Sequence, residues 1–248
     1  MSHHIIEAQD LYFVYPDGTK AINGISFKII HGESVGIVGS NGAGKSTLIM
    51  QMNGFFLPTS GSLKIGATPV NEKTKVDIRR HVGLVFQNPD DQLFMPTVFD
   101  DIAFGPLNLG FSKEEVEKCV DESLKMVGCL ELKDRPSHHL SLGQKRAVSI
   151  ACILSMGPDI LVMDEPSSFL DHRSRRDLIN LLKKFTHTKI IVSHDLDLIL
   201  EVCERCIILK DGKIQADGKA KDILSEENIL KQNNLELPLT LQKNNILK

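Results

Sequence analysis

Gly39-Ser40-Asn41-Gly42-Ala43-Gly44-Lys45-Ser46-Thr47 decides how the rest of the chain is read. It follows a short apolar run, Val35-Gly36-Ile37-Val38, the pattern of a buried strand. It opens a second apolar run from Leu48 to Met52, closed by Asn53-Gly54, the pattern of a helix with a glycine stop. A backbone that wraps a polyphosphate closely must dispense with most side chains and turn its N–H groups inward. The start of the helix adds its positive end. Lys45 then supplies a point charge for the β- and γ-phosphates, and Ser46 a hydroxyl ligand for Mg²⁺.

Strand, glycine-rich turn and Gly-Lys-Ser at a helix start together form the P-loop arrangement. A chance glycine turn would not bring Lys and Ser at this spacing. Further along, Asp159-Ile160-Leu161-Val162-Met163 reads as a buried parallel strand ending in Asp164-Glu165-Pro166. Adjacent carboxylates at a strand's end are costly to bury without a cation. In a P-loop protein the first holds Mg²⁺ and the second orients or deprotonates a water. Nucleotide sites in such sheets lie at the carboxyl ends of the strands, which favours this reading over a plain exposed strand end. His194 follows a strand at Lys189 to Val192, where a γ-phosphate is within reach, although a lone His is usually structural. Ser141 and Gln144 have capping-box spacing at the start of a helix. From that stretch alone, a plain well-capped helix is the better reading, ahead of a second phosphate-binding terminus. Tyr12, Phe13 and Tyr15 lie upstream of the P-loop, where an aromatic either stacks on a base or packs on a sheet.

At 248 residues, 42% hydrophobic and 25% charged, the chain suits one large soluble domain, or a core with a subdomain. A net charge of -3 and the absence of Trp argue against a broad nucleic-acid surface, so no nucleic-acid partner is expected. Five scattered Cys suggest buried thiols in a reducing compartment; the Cys203-Glu204-Arg205-Cys206 spacing has no second pair or nearby His to make a metal site. His3-His4 is too short for a tag or a metal site. The N-terminus is polar, without a signal-peptide pattern, and no apolar run approaches the ~20 residues that span a bilayer. The expected place is the cytoplasm, with any membrane association made through a partner.

Ile6 to Tyr15 and Ile25 to Ile30, separated by Pro16-Asp17-Gly18, predict an antiparallel β-layer leading into the P-loop strand. Ser62 to Ile65 and Val82 to Phe86 predict further strands. Thr97 to Gly105, Lys113 to Val127 and Ser141 to Met156 show helical periodicity, punctuated at Gly105-Pro106 and Gly128. This is a helical insertion, about 88–158, within an α/β core. Asp171 is expected to cap a helix running to Phe185, and Asp211-Gly212 to close a hairpin. Ala220 to Lys231 predicts one helix. The polar tail from Asn233 to Lys248 is a docking segment, a dimer contact or a partly ordered end.

Taken together, these pieces resemble the nucleotide-binding subunit of ATP-binding-cassette (ABC) transporters, from about Ile6 to Gly218. Walker A is Gly39 to Thr47, the Q-loop is Gln87, and the signature is Leu140-Ser141-Leu142-Gly143-Gln144. Walker B is Ile160 to Asp164 with Glu165 following, the D-loop is Ser168-Phe169-Leu170-Asp171, and the switch histidine is His194. Leu142 departs from the usual glycine. Gln87-Asn88-Pro89-Asp90-Asp91-Gln92-Leu93-Phe94, Asp101 to Pro106 and the tail Asn234 to Pro238 further resemble the ATPases of energy-coupling factor (ECF) importers, the cobalt and nickel importer ATPase among them.

The resemblance implies a P-loop α/β core with an antiparallel β-subdomain and an inserted helical subdomain over 1–218, and a C-terminal extension over 219–248. It implies an ATPase whose cassettes pack head to tail, each ATP held between one chain's Walker A and the other's signature. Tyr15 would stack on adenine, and Gly39, Ser40, Asn41, Gly42, Ala43, Gly44, Lys45 and Thr47 would hold phosphates. Ser46, Gln87 and Asp164 would serve Mg²⁺. Glu165 would be the general base, and His194 would hold the γ-phosphate and attacking water. Ser141, Gly143 and Gln144 would act on the opposite nucleotide, and Asp171 would link the two sites. The implied partners are a second ATPase chain, identical or a sister, and integral membrane subunits for coupling and substrate capture. The implied place is the cytoplasmic face of the membrane. The competing expectation is a soluble ABC clamp on DNA or ribosomes. It fits less well, because the chain has no long coiled coil and only one cassette.

Overall fold

The computed structural model describes residues 4–242. In chain order the strands are β1 (His4–Val14), β2 (Lys20–Ile30), β3 (Ser34–Val38), β4 (Ser60–Ile65), β5 (Thr68–Pro69), β6 (Val82–Val85), β7 (Ile160–Asp164), β8 (Thr188–Val192), β9 (Arg205–Lys210) and β10 (Lys213–Lys219). The helices are α1 (Lys45–Met52), α2 (Lys75–His81), α3 (Val98–Asn108), α4 (Lys113–Met126), α5 (Leu142–Leu154), α6 (His172–Lys184), α7 (Leu196–Val202), α8 (Ala220–Ser225), α9 (Glu227–Gln232) and α10 (Leu239–Gln242).

Two sheets form. One is antiparallel, in the order β2-β1-β4-β5. The other runs β10-β9-β3-β8-β7-β6, parallel from β9 to β6, with β10 folded back antiparallel. Strands β3, β6, β7 and β8 are buried along their whole length. Their sequences are accordingly near-continuous apolar runs, as parallel strands covered on both faces require. The register pairs Ile37 with Val192, Asp164 with Val192 and Val85 with Met163. The carboxyl ends of β3, β8, β7 and β6 therefore lie side by side on one edge, where the P-loop, His194, Glu165 and Gln87 begin.

Three apolar clusters hold these layers. One joins the antiparallel sheet and α1 to one face of the parallel sheet. A second fills the other face beneath α6, α7 and α8. The third packs α3, α4 and α5 together. Helix α5 belongs to both the second and third clusters, which is why its buried residues surround it instead of forming one stripe.

Two expectations are corrected. Gly105-Pro106 does not end a helix: α3 continues through both to Asn108. Pro106 cannot donate to the carbonyl of Ile102, but that oxygen accepts from the Ser155 hydroxyl at 3.1 Å. Gly105 is required because Met156 packs against it, its sulfur 2.6 Å from where a Cβ would stand. The single helix expected from Ala220 to Lys231 is two, broken at Glu226 with φ -86° and ψ 89°. The break lets Ile223, Leu224 and Leu230 all reach the second cluster. The tail, as far as it is described, folds back on α7: the Asp197 carboxylate accepts from the N–H groups of Leu239 and Thr240 at 2.9 and 3.0 Å. His3 and residues 243–248 lie outside the described residues.

Candidate nucleotide site

The P-loop is shaped by close approach. A Cβ on Gly39 would stand 2.1 Å from the Leu209 carbonyl oxygen, and one on Gly44, at φ +100°, 2.3 Å from that of Ala21. Both glycines let the loop seat directly on its neighbours. No side-chain cap bond closes the start of α1 among the described residues. The first-turn N–H groups of Lys45, Ser46 and Thr47 are thus available to an anion. The Lys45 ammonium donates to the carbonyls of Gly39 at 2.8 Å and Ser40 at 3.0 Å, and its Nζ lies 3.4 Å from His194 Nε2. Burial pulls its pKa down, opposed by the charges of Glu165 and Asp164.

Asp164 and Glu165 close the opposite wall. Both are 6% exposed. Burial pushes both carboxyls above their usual range, more than the Ser46 hydroxyl at Asp164, the His194 N–H at Glu165 and the nearby cations pull them down. Glu165 sits at φ +45°, a left-handed conformation that costs an ordinary residue about 1 kcal/mol. Its N–H donates to the Val192 carbonyl at 2.8 Å, and its Oε2 accepts from the N–H of His194 at 3.0 Å. Its Oε1 has no hydrogen-bond partner among the described residues and lies 3.4 Å from His194 Nε2. Such a carboxylate, raised in pKa and with a free oxygen, can accept a proton. Asp164 Oδ1 is likewise buried with no hydrogen-bond partner among the described residues, and the Ser46 hydroxyl meets the same carboxylate. Two hard oxygen donors, one of them orphaned, fit a divalent cation.

These groups face one cleft of ≈ 510 Å³ that holds Tyr15, Asn41 to Thr47, Gln87, Asp164, Glu165 and His194. Tyr15 is half-buried, its hydroxyl 2.9 Å from Thr47 Oγ1 and its ring edge-on to Phe13 and Phe56. Of the three upstream aromatics, Phe13 is core and Tyr12 packs under Gly24. Thr19, Lys20 and Ala21 also line the cleft, which sequence reasoning missed because no pattern marks them.

Ser141, Gly143 and Gln144 do not reach the cleft. They line a separate pocket between α5 and α6. The capping box is formed: Ser141 Oγ accepts from the Gln144 N–H at 3.3 Å, and Gln144 Oε1 from the Ser141 N–H at 3.0 Å. Asp171 caps α6 through the N–H and hydroxyl of Ser174, at 2.9 and 3.1 Å. Gly143 lies against that same serine: a Cβ there would stand 2.4 Å from Ser174 Oγ. Gly143→Ala is therefore expected to displace the start of α6 and lower turnover by about tenfold, with ATP affinity little changed. Adding Ser174→Gly should restore part of the loss in steady-state assays; no recovery would place the damage elsewhere. The buried thiols Cys129 and Cys206 are pushed up to about 11 and about 12 by burial, in keeping with packing roles.

A glycine cradle on a helix start, a buried lysine and paired strand-end carboxylates define a P-loop nucleotide hydrolase. The comparisons narrow the class. A family model, ABC transporter, matches residues 22–168. A Geobacter sulfurreducens protein, GSU1281, provisionally named an ABC transporter ATP-binding protein, is 56% identical over 98% of this chain and 97% of its own. The energy-coupling factor transporter ATP-binding protein EcfA of Methanocaldococcus jannaschii is 48% identical over 95% of this chain and 86% of its own. Among solved structures, cbiO1 of Clostridium perfringens, described as part of the ABC transporter complex cbiONQ, superposes with a TM-score of 0.85 at 37% identity, covering 99% of this chain and 100% of that one. A dimeric ATP-binding cassette in a post-hydrolysis state with ADP and Pi superposes with a TM-score of 0.78 at 29% identity, covering 87% and 98%. The chain belongs to the ABC transporter family and is an ATPase of that type.

Proposed function

We propose that this chain is the ATP-hydrolysing subunit of an ECF-type membrane importer for a metal ion, cobalt or nickel, or a vitamin. The observation that carries the reading is its likeness to EcfA along nearly the whole chain, beyond the shared ATP site. Three exposed apolar residues beyond Gln87 support it. Phe94 and Phe104 stand edge to face at 5.2 Å and are 65% and 45% exposed, with Leu107 exposed beside them in α3. This surface suits a membrane subunit's docking element. Among the described residues no helix is long and apolar enough to cross a membrane. The chain then works as a peripheral subunit on the cytoplasmic face, with residues 219–248 as an extension of the ATPase domain.

In this reading Lys45 leaves its loop carbonyls for the phosphates, and the N–H groups of the loop and α1 complete the cradle. Ser46, Gln87 and Asp164 would hold Mg²⁺, which would supply positive charge to the phosphates. Glu165 takes a proton from the attacking water, and His194, beside both Glu165 and Lys45, positions it against the γ-phosphate. Tyr15 flanks the base. Because Ser141, Gly143 and Gln144 face away from their own chain's cleft, they serve the ATP of a second cassette, with Asp171 at the junction. ATP binding then closes the dimer and hydrolysis reopens it.

A tagged pull-down from detergent-solubilised native membranes tests the reading. One or two small integral membrane proteins should co-purify, the smaller leading to the cargo. Recovery of soluble partners alone would overturn the transport assignment.

A further inference from the structure

Arg146 is 2% exposed, on α5, one turn beyond Ser141. Its guanidinium crosses from the helical cluster to the end of the parallel sheet. Nη1 donates to the Phe86 carbonyl at 2.7 Å, and Nη2 to that of Gln87 at 2.5 Å. Asp164, at the end of the adjacent strand, supplies the countercharge. Two neighbouring contacts attach the same segment to the same helix. Gln92 donates to the Ser149 carbonyl at 2.6 Å, and Lys145 pairs with Asp90 at 2.6 Å. The Lys145 pair has an exposed carboxylate and adds little. The buried fork of Arg146 is the strong member, because a planar guanidinium fixes two carbonyls at once.

We propose that Arg146 is a positioning residue that makes residues 86–92 and the start of α5 one mechanical unit. A shift of Gln87 on nucleotide binding is then carried to Ser141 and Gly143, which face a different cleft. The inference rests on the ATP site and is independent of what the ATPase drives.

Hydrogen exchange of the full-length protein, diluted until gel filtration shows a monomer, with and without ATP in the absence of divalent cation, tests it within one chain. In the wild type, ATP should slow exchange in both 86–92 and 141–150, by about threefold or more. In Arg146→Met it should slow 86–92 while 141–150 stays at the ATP-free rate. Turnover should fall about tenfold at saturating ATP with KM nearly unchanged. A merely structural role would instead raise exchange in both segments without ATP and raise KM. If Arg146→Met does not fold, Arg146→Lys, which keeps a charged donor but not the planar two-pronged fork, should give partial slowing at 141–150. Wild-type slowing of 141–150 in either variant overturns the proposal, as does slowing confined to 86–92 in the wild type. No slowing at either segment in the wild type would instead count against ATP binding in the cleft.

Discussion

Glu165→Gln is expected to cut steady-state ATP turnover about a hundredfold or more while ATP still binds. The glutamine keeps the acceptor that takes the His194 N–H, and so the geometry at the end of β7. It removes the proton acceptor, the Oε1 that has no hydrogen-bond partner among the described residues. With hydrolysis blocked, two chains should remain closed around ATP and elute as a dimer by gel filtration. The nucleotide-free variant should also melt at no lower temperature than the wild type. Burial raises the folded-state pKa of Glu165, so its carboxylate costs stability once the pH rises through the unfolded value and towards the raised one. The neutral amide has no such cost. Turnover near the wild-type rate would remove Glu165 as the base.

Lys45→Ala should act on binding itself. The ammonium is the buried cation on the floor of the cleft, and one charge-assisted contact to phosphate corresponds to about ten- to a hundredfold in affinity. The loss should appear as a higher Kd for ATP in equilibrium titration, before any catalytic step. The variant also loses the donor to the Gly39 and Ser40 carbonyls, and with it the bonds that hold the loop in shape without ligand. Asp164 and Glu165 lose a nearby countercharge at the same time. Unchanged ATP affinity would sink the phosphate role of the lysine.

Much of this was legible in the sequence, for identifiable reasons. The P-loop and the strand-end carboxylates lie in short contiguous stretches whose chemistry is local: glycine where backbones touch, charge where phosphate or metal must be met. The parallel strands showed themselves as unbroken apolar runs. What sequence reasoning missed depends on contacts between distant segments. Helix α2 buries a single residue of its span, Ile78, so it left no stripe to read. Pro106 looked like a terminator because the hydroxyl that satisfies Ile102 comes from Ser155, at the far end of another helix. Arg146 was hidden because it follows Gln144 and Lys145 and so reads as one more solvent-facing charge at a helix start. The division of the site residues between two clefts was implied by the family resemblance alone; the close approach of Gly143 to Ser174 had no signal in the sequence.

The burial of Asp164 and Glu165 has one more consequence. Asp164 and Glu165 keep two buried oxygens without hydrogen-bond partners among the described residues, a cost that a bound cation would offset. A nucleotide bound with its cation is therefore expected to raise the melting temperature as its concentration rises above Kd, so the same carboxyls that serve turnover tie folding stability to ligand.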